Sequence, residues 1–201
     1  TYSNIDDANF TYNNAVVGGA IFIRGSNTKR GNANFTNNNA TRFLSFDLDS
    51  KYDNFNAVGG AIGILGNNSL IYNATFNKNT AIGKVKESYG GAIAIQGFNT
   101  TLEGTGFTNN QAVIGGALYF SGTLNDVNET DFINNSAVQG GAIYIANSDA
   151  IFGHSKFHNN SATHSLRFEL ESDKLKNLIT IGGAIYIPGN SIYVQESEFI
   201  N

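Results

Sequence analysis

The chain has 201 residues, of which 14% are charged, and it carries 12 Lys and Arg against 16 Asp and Glu. Because nucleic acids and anionic membranes are bound by basic surfaces, this acidic balance predicts that neither is a partner. Cysteine is absent, which excludes disulfides and thiol chemistry and leaves packing and backbone pairing to stabilise the fold.

Two short motifs alternate along the chain. Gly-Gly-Ala followed by Ile or Leu begins at Gly18, Gly59, Gly90, Gly115, Gly140 and Gly182. Phe-x-x-Asn begins at Phe10, Phe35, Phe76, Phe107, Phe132 and Phe157, and Phe199 opens a further copy. Each first glycine precedes the next of these phenylalanines by 17 residues, and the shortest return is 8, so the basic period is 25. A fixed period of this kind indicates stacked repeats.

Within each repeat, hydrophobicity alternates with a period of two, which predicts strands. After each Gly-Gly-Ala, we expect two large apolar residues to point inward, as at Ile93 and Ile95, and the residue between them to point outward. The outward set is Phe22, Gly63, Ala94, Tyr119, Tyr144 and Tyr186. The position five before each Phe is mostly apolar and is also expected inward: Arg30, Ile71, Leu102, Val127, Phe152 and Val194.

These patterns predict an all-β fold, a right-handed parallel β-helix of about six 25-residue coils with inserts at one corner. Equivalent residues then stack in ladders about 4.8 Å apart. The predicted structural ladders are Phe35, Phe76, Phe107, Phe132 and Phe157, and Asn38, Asn79, Asn110, Asn135 and Asn160. We expect residues 1–201 to form a single β-helix segment of a longer surface protein, because residue 1 is not Met and the last residues fall inside a motif.

All additional length enters between the Ala that follows each Phe-x-x-Asn motif and the next Gly-Gly, in inserts at about 41–58, 82–89 and 163–181. The two long inserts resemble each other at 44–50 and 166–172, where apolar and acidic residues alternate. This alternation predicts that each forms a small hairpin arm. One interpretation makes the inserts a binding surface, built from Phe43, Asp47, Asp49, Tyr52, Phe55, Arg167, Glu169 and Glu171. The other makes their apolar residues a cover for the flank of the rod, with the acids merely solvated.

Catalysis is the main alternative function, because polysaccharide-processing enzymes also use β-helices. Charged residues are expected to point outward before three successive phenylalanines, at 129/131, 154/156 and 196/198, and three of them could form an acid–base or metal set: Glu129, His154 and Glu196. Cross-strand charge pairing is the plainer explanation. The three histidines lack metal-ligand spacing, and phosphate-loop and serine-nucleophile motifs are absent. We therefore expect no enzyme activity, no metal and no cofactor.

The alternating Gly-Gly-Ala-Ile/Leu and Phe-x-x-Asn motifs resemble those of chlamydial polymorphic outer-membrane proteins. With the Asn, Ile and Tyr richness, the chain also resembles adhesin-like surface proteins of methanogenic archaea. The resemblance covers essentially the whole chain and implies secretion, surface display and attachment to other cells through surface glycans or proteins.

No apolar run approaches the roughly 20 residues of a membrane span, so we expect no membrane insertion by this segment. A passive stalk that only spaces another domain is the remaining alternative.

Overall fold

The structure is a computed structural model that describes residues 3–42, 57–83, 87–146, 149–170, 173–188 and 192–200. Its strands stack turn upon turn in parallel, so that the chain winds as a coil. The predicted parallel β-helix is therefore confirmed. Its right-handed sense stays a prediction from the general preference of parallel crossovers.

Three long sheets form the walls of the coil. Sheet A contains β1 (Ser3–Asp6), β5 (Thr28–Gly31), β10 (Leu70–Tyr72), β15 (Thr101–Glu103), β18 (Asn125–Asn128), β22 (Ala150–Gly153) and β26 (Ile192–Gln195). Sheet B contains β2 (Asn9–Thr11), β6 (Asn34–Thr36), β11 (Thr75–Asn77), β16 (Gly106–Thr108), β19 (Asp131–Ile133), β23 (Lys156–His158) and β27 (Glu198–Ile200). Sheet C contains β4 (Ile21–Ile23), β9 (Ile62–Ile64), β14 (Ile93–Ile95), β17 (Leu118–Phe120), β21 (Ile143–Ile145) and β25 (Ile185–Tyr186).

Short strands line the edge between sheets B and C. They are β3 (Asn14–Ala15), β7 (Asn39–Arg42), β8 (Ala57–Val58), β12 (Thr80–Gly83), β13 (Ser88–Tyr89), β20 (Ser136–Ala137) and β24 (Ser161–Ala162). One short helix, α1 (Asp173–Lys176), lies in the third insert. Each turn of the coil thus passes from sheet A to sheet B, through this edge, and on to sheet C.

The phenylalanine ladder runs through the whole coil and is in the predicted register. Phe76 pairs with Phe107, and Phe132 pairs with Phe157. The rings from Phe10 to Phe199 stack nearly face to face, with centroids 4.6–5.1 Å apart. The five ladder phenylalanines of the inner turns are at most 1% exposed. With the isoleucines of sheet C they form the main core.

The asparagine ladder satisfies the backbone at the corner that follows sheet B. The Asn110 backbone N–H and Nδ2 both donate to Oδ1 of Asn135, at 2.9 and 3.0 Å. Nδ2 of Asn110 also donates to the Phe76 carbonyl oxygen at 2.9 Å, and its Oδ1 accepts from Asn79. Because the amide supplies two donors and a two-lone-pair acceptor, an asparagine at this position leaves none of these corner groups unpaired.

The two glycines of each Gly-Gly pair have different roles. Gly115 has a φ of +68°, in the left-handed region that glycine adopts without steric cost. Gly116 is needed because turns come close together, since a Cβ there would lie 2.0 Å from the carbonyl oxygen of Gly141. Two turns also come close together at Gly97 and Gly122, where a Cβ on Gly122 would lie 1.8 Å from the Gly97 carbonyl oxygen. This close approach was not predicted from the sequence.

Left-handed backbone also recurs at three other corners of the coil. Asn is common there, because its short side chain tolerates this conformation better than most. Between sheets B and C, the described column of such residues comprises Tyr12, Asn37, Lys78, Asn109, Asn134 and Asn159, with φ between 51° and 57°. These corners account for part of the high asparagine content, which is 30 of the 201 residues.

The inward positions are confirmed, with one difference at the end and another on the outside. Arg30 is buried like the apolar residues of its column, whereas Val194, in the last turn, is 43% exposed. Burial lowers the pKa of Arg30, while nearby Asp6 raises it. On the outside of sheet C, not every residue predicted to point outward is exposed, because Ala94 is buried and Tyr119 is only partly exposed. For the tyrosines, the reason is that the third insert covers them.

Candidate binding surface at the corner inserts

The inserts leave the coil at the edge between sheets B and C, as predicted. The second follows β12, and the third runs from β24 towards β25. Six of the eight predicted binding residues lie outside the described residues, and their roles stay predictions: Phe43, Asp47, Asp49, Tyr52, Phe55 and Glu171. Arg167 and Glu169 are described, and both are exposed.

The third insert packs its apolar residues on the outer face of sheet C. Leu170 and Leu175 are 8% and 1% exposed and contact a second core formed with Val113, Ile114 and Val138. Leu166, Phe168 and Leu178 pack against the same cluster, as do Tyr89, Tyr119 and Tyr144. The apolar side of this insert therefore covers the flank, as the second interpretation predicts, and Glu169 between the apolar residues faces solvent. The role of the exposed residues in binding stays a prediction.

The predicted hairpin arm is wrong for the described part of the third insert. No strand occurs at 163–170 or 173–181, and the helix α1 stands where a second arm strand was expected. The alternating residues dock by their side chains on a sheet face, where the backbone has no free edge to pair with. Period-two alternation reports a one-sided surface, and here an irregular extended segment provides it.

The tyrosines that the third insert covers have raised pKa values. The rings of Tyr89 and Tyr119 are 4.6 Å apart, and those of Tyr119 and Tyr144 are 5.7 Å apart. Tyr89 Oη donates to Oε2 of Glu87 at 2.6 Å. Burial, and then this hydrogen bond to a carboxylate, raises the pKa of Tyr89 far above its usual value. Burial also raises the pKa of Tyr119 and of Tyr144.

Arg167 connects the insert to two turns of the coil. Its backbone N–H and Nε both donate to Oε1 of Gln111, at 2.8 and 2.9 Å. Its Nη2 donates to the carbonyl oxygen of Asn109 at 2.7 Å and approaches Oγ1 of Thr80 at 3.4 Å. All of these acceptors are neutral, and partial burial lowers the pKa of the guanidinium.

The charged column before the phenylalanines lies on an exposed face. His154 Nε2 is 2.6 Å from Oε2 of Glu196, and His158 Nε2 is 3.9 Å from Oε2 of Glu198. Lys156 lies in register between Asp131 and Glu198. In the described ranges, no three His, Asp or Glu residues are grouped so that they could hold a metal ion. The geometry here is that of cross-strand charge pairing, which contributes little at exposed positions.

Sequence analysis missed the residues that surround Arg167. Lys78, Asn109, Gln111 and Asn134 line, together with Arg167, a hollow of about 280 Å³. Three of these residues belong to the left-handed column two positions after each Phe. The motif alignment placed them in one column, but nothing in the sequence indicated that Arg167 would lie over it.

A second hollow, on the outer face of sheet A, was also missed. It has a volume of about 470 Å³. Exposed apolar side chains line it beside carboxylates: Leu124, Ile151 and Tyr193 with Asp126 and Asp149. The register Asp126–Ile151–Tyr193 across three turns could have predicted this grouping.

A sequence model of the Chlamydia polymorphic membrane protein repeat matches residues 129–146. The matched stretch contains one Phe-x-x-Asn motif, from Phe132, and one Gly-Gly-Ala-Ile motif, from Gly140. No curated protein and no solved structure matches the chain. None of the helices in the described residues is long and apolar enough to cross a membrane. The chain is thus similar, at this copy of its repeat, to a family that points to an outer-membrane or surface-associated protein.

Proposed function

We propose that this chain is a non-catalytic attachment module of a cell-surface adhesin, which binds other cells through their surface glycans or proteins. The coil provides a rigid rod, and the inserts at its edge provide the variable surface that makes contact. Loops on a rigid scaffold are where binding residues concentrate. The matched repeat family supports an extracellular, surface location, and the resemblance to adhesin-like proteins of methanogenic archaea supports the role in attachment.

The docked third insert is the observation that carries this proposal. Its leucines bury themselves on sheet C while Arg167 and Glu169 stay exposed. A spacer needs no such element, because the turn from Phe107 to Gly115 closes the same corner with 8 residues. An insert that is both long and held in one place is what a preorganised recognition surface requires.

Deletion of each long insert tests the proposal. Removing residues 163–179 joins Ala162 to Thr180-Ile181-Gly182, which copies the short corner Ala112-Val113-Ile114-Gly115. Removing residues 41–56 joins Ala40 to Ala57-Val58 and gives a corner of the same length. We expect at least one deletion to reduce adhesion of the labelled chain to whole cells. Deletion of 82–87, which shortens the small second insert in the same way, is the matched control.

Unchanged adhesion in both long deletions would contradict the proposal and favour a passive spacer. Incubation with acidic and neutral polysaccharides tests the enzyme alternative, with reducing ends as the readout. Release of oligosaccharides would contradict the non-catalytic part of the proposal.

A further inference from the structure

The hollow around Arg167, which we term the corner hollow, is built from three successive turns and the third insert. Its lining residues are Lys78, Asn109, Gln111, Asn134 and Arg167. Two of the five are cations and three are amides, so no carboxylate of the described residues lines the hollow. The chain as a whole is acidic, with a net charge of −4. The corner hollow is therefore a positively charged place on a chain whose net charge is negative.

Arg167 is held in place by neutral partners. Oε1 of Gln111 accepts both the backbone N–H and Nε of Arg167, and Nε2 of Gln111 donates in turn to Oγ of Ser136 at 2.7 Å. Nη2 is fixed on the Asn109 carbonyl oxygen. In the part of the chain that the structure describes, Nη1 makes no hydrogen bond and the guanidinium has no ion pair. Five N–H donors on a fixed fork leave this side able to take an oxyanion.

Lys78 adds a second positive charge on the same rim. It adopts a φ of 56° at the corner after Phe76, and its exposed side chain makes no ion pair with any described residue. Asn109 and Asn134 occupy the same corner one and two turns further on, with φ of 57° and 55°. Their side-chain amides make no hydrogen bond within the described ranges. Each amide can both donate to and accept from a hydroxyl group.

We propose that the corner hollow binds an acidic sugar residue of a surface glycan, with Arg167 and Lys78 taking its carboxylate or sulfate and the amides of Asn109 and Asn134 taking its hydroxyls. This inference rests on the proposed function and names the ligand class of the third insert.

Size and chemistry favour a sugar over an acidic peptide. The hollow, at about 280 Å³, is near the lower limit of the roughly 300–1,000 Å³ typical of small-ligand pockets. One sugar ring is an occupant of this scale. An acidic peptide would offer carboxylates to the two cations, but it would leave the two free amides without hydroxyl partners. A polyanion bound by charge alone would also be repelled by the acidic remainder of the chain.

Titration of the whole 201-residue chain with defined oligosaccharides tests the inference. Probes are a hyaluronan tetrasaccharide for the carboxylate, a chondroitin sulfate tetrasaccharide for the sulfate, cellotetraose as a neutral sugar and hexaglutamate as an acidic peptide. We expect binding of one or both acidic sugars, and at least about tenfold weaker binding of cellotetraose and hexaglutamate. Added salt should weaken the sugar complex, because both cations are near the surface.

Single substitutions locate the site. Lys78→Gln and Arg167→Gln should each weaken binding of the acidic sugar by about tenfold or more. Lys174→Gln, which removes one exposed charge from α1 in the same insert, should change it less than about twofold. Because Arg167→Gln can also loosen the insert, Lys78→Gln is the decisive variant. The side chain of Lys78 makes no hydrogen bond or ion pair with any described residue, and its backbone N–H bond to the Thr108 carbonyl oxygen is unaffected by the substitution.

Wild-type affinity in Lys78→Gln would overturn the inference, as would equal affinity for cellotetraose or hexaglutamate. If neither acidic sugar binds at concentrations up to about 10 mM, the inference is also overturned. If the wild-type chain adheres to cells and Lys78→Gln and Arg167→Gln adhere equally, this inference fails and the attachment function stands. If the acidic sugar binds but the wild-type chain adheres to no cell, the attachment function fails instead.

Discussion

In every Gly-Gly pair except the last, the second glycine lies where consecutive turns come very close together. A Cβ at Gly116 would be 2.0 Å from the Gly141 carbonyl oxygen and 2.7 Å from the Ser136 backbone nitrogen. No real Cβ tolerates such distances, so the turns must separate and lose their hydrogen bonds. The backbone of Gly116 is not in the left-handed region, so steric contact alone requires the glycine.

We expect Gly116→Ala to lower the free energy of unfolding by about 2–4 kcal/mol, as backbone strain in a packed core commonly does. Gly106→Ala is the matched control, since a Cβ there would meet nothing within 4 Å. It should change the free energy by about 0.5 kcal/mol at most. Urea unfolding followed by circular dichroism gives both values, and equal stability of the two variants would contradict the close-approach argument.

Asn110 supports the corner through four hydrogen bonds of its side chain. Asn110→Ala removes the acceptor of the buried Asn79 backbone N–H and one donor to the Phe76 carbonyl oxygen. Losing these side-chain hydrogen bonds and leaving the Asn79 N–H unpaired should cost about 2–4 kcal/mol. Thr108→Ala, on the adjacent strand β16, removes no described hydrogen bond and should cost less than about 1 kcal/mol. A similar loss in both variants would mean that the amide ladder is not what stabilises this corner.

The ladders could be predicted because position within the period determines position in the coil. Phe107, Phe132 and Phe157 each begin a Phe-x-x-Asn motif and follow one another at 25-residue intervals, so one inference about one residue holds for each. Arg167 has no such counterpart in the coil. Its partners Gln111 and Thr80 are 56 and 87 residues away, and no local pattern indicates contacts of that range.

At the level of elements, the third insert is an independent layer on a finished wall. Sheet C needs no cover to form, because β4 and β9 pair without this insert above them. Leu170 and Leu175 keep the insert in place through apolar contacts with the cluster that contains Val113 and Val138. The insert should therefore open and close without unfolding the coil, as weakly coupled units do.

Leu175→Ala tests this independence. Truncating a leucine that is 1% exposed should reduce the free energy of opening the insert by about 2–4 kcal/mol. Lys174→Ala, one residue away and exposed, should change it by about 0.5 kcal/mol or less. Hydrogen exchange of residues 173–178 gives the readout, while the exchange of sheet B should stay unchanged. Faster exchange in sheet B as well would show that the insert and the coil unfold together.

The covered tyrosines predict loss of stability in alkali. In the folded chain, Tyr89, Tyr119 and Tyr144 keep their protons at pH values where tyrosines of the unfolded chain lose theirs. The unfolded state then binds fewer protons, so the free energy of unfolding falls as the pH rises above about 10, the usual tyrosine pKa. Below that pH these tyrosines do not make the free energy of unfolding depend on pH.

Thermal unfolding between about pH 8 and pH 11 measures this slope. Tyr89→Phe should make the alkaline decrease shallower, because it removes the most strongly shifted group. Tyr193→Phe, at a residue that is 61% exposed, should leave the slope unchanged. Identical slopes in wild type and Tyr89→Phe would contradict the burial of the Tyr89 hydroxyl.

At the level of the whole molecule, the described strands of each long sheet pair only with the strands of the turns before and after them. Solenoids of this type gain stability from neighbouring units, so the outermost turns have half the support of the inner ones. The exposures agree, because Phe199 is 52% exposed while Phe107 is fully buried.

Two identical hexapeptides allow this gradient to be measured within one molecule. Gly-Gly-Ala-Ile-Tyr-Ile occurs at 140–145 in an inner turn and at 182–187 in the last turn of sheet C. Their intrinsic exchange rates are equal, yet we expect the amides at 142–145 to exchange at least about tenfold more slowly than those at 184–187. Equal protection of the two copies would mean that the chain unfolds as a single cooperative block.

The insert was less predictable than the coil for a physical reason. Its alternation at 166–170 correctly indicated one apolar side, but not the surface that this side would meet. That surface is assembled from Val113, Val138 and tyrosines of several turns. The coil could be derived from its own period, whereas the insert depends on a structure that exists only after the coil has formed.

The phenylalanine rings stack at nearly even separations, so each turn adds about the same length to the coil. Each added 25-residue unit would lengthen it by one ring separation, between 4.6 and 5.1 Å, without changing any contact inside the existing turns. Gene duplication or recombination of whole units can therefore adjust reach in small equal increments. Equally, loss of a unit shortens the coil by the same step and brings two inserts nearer to each other.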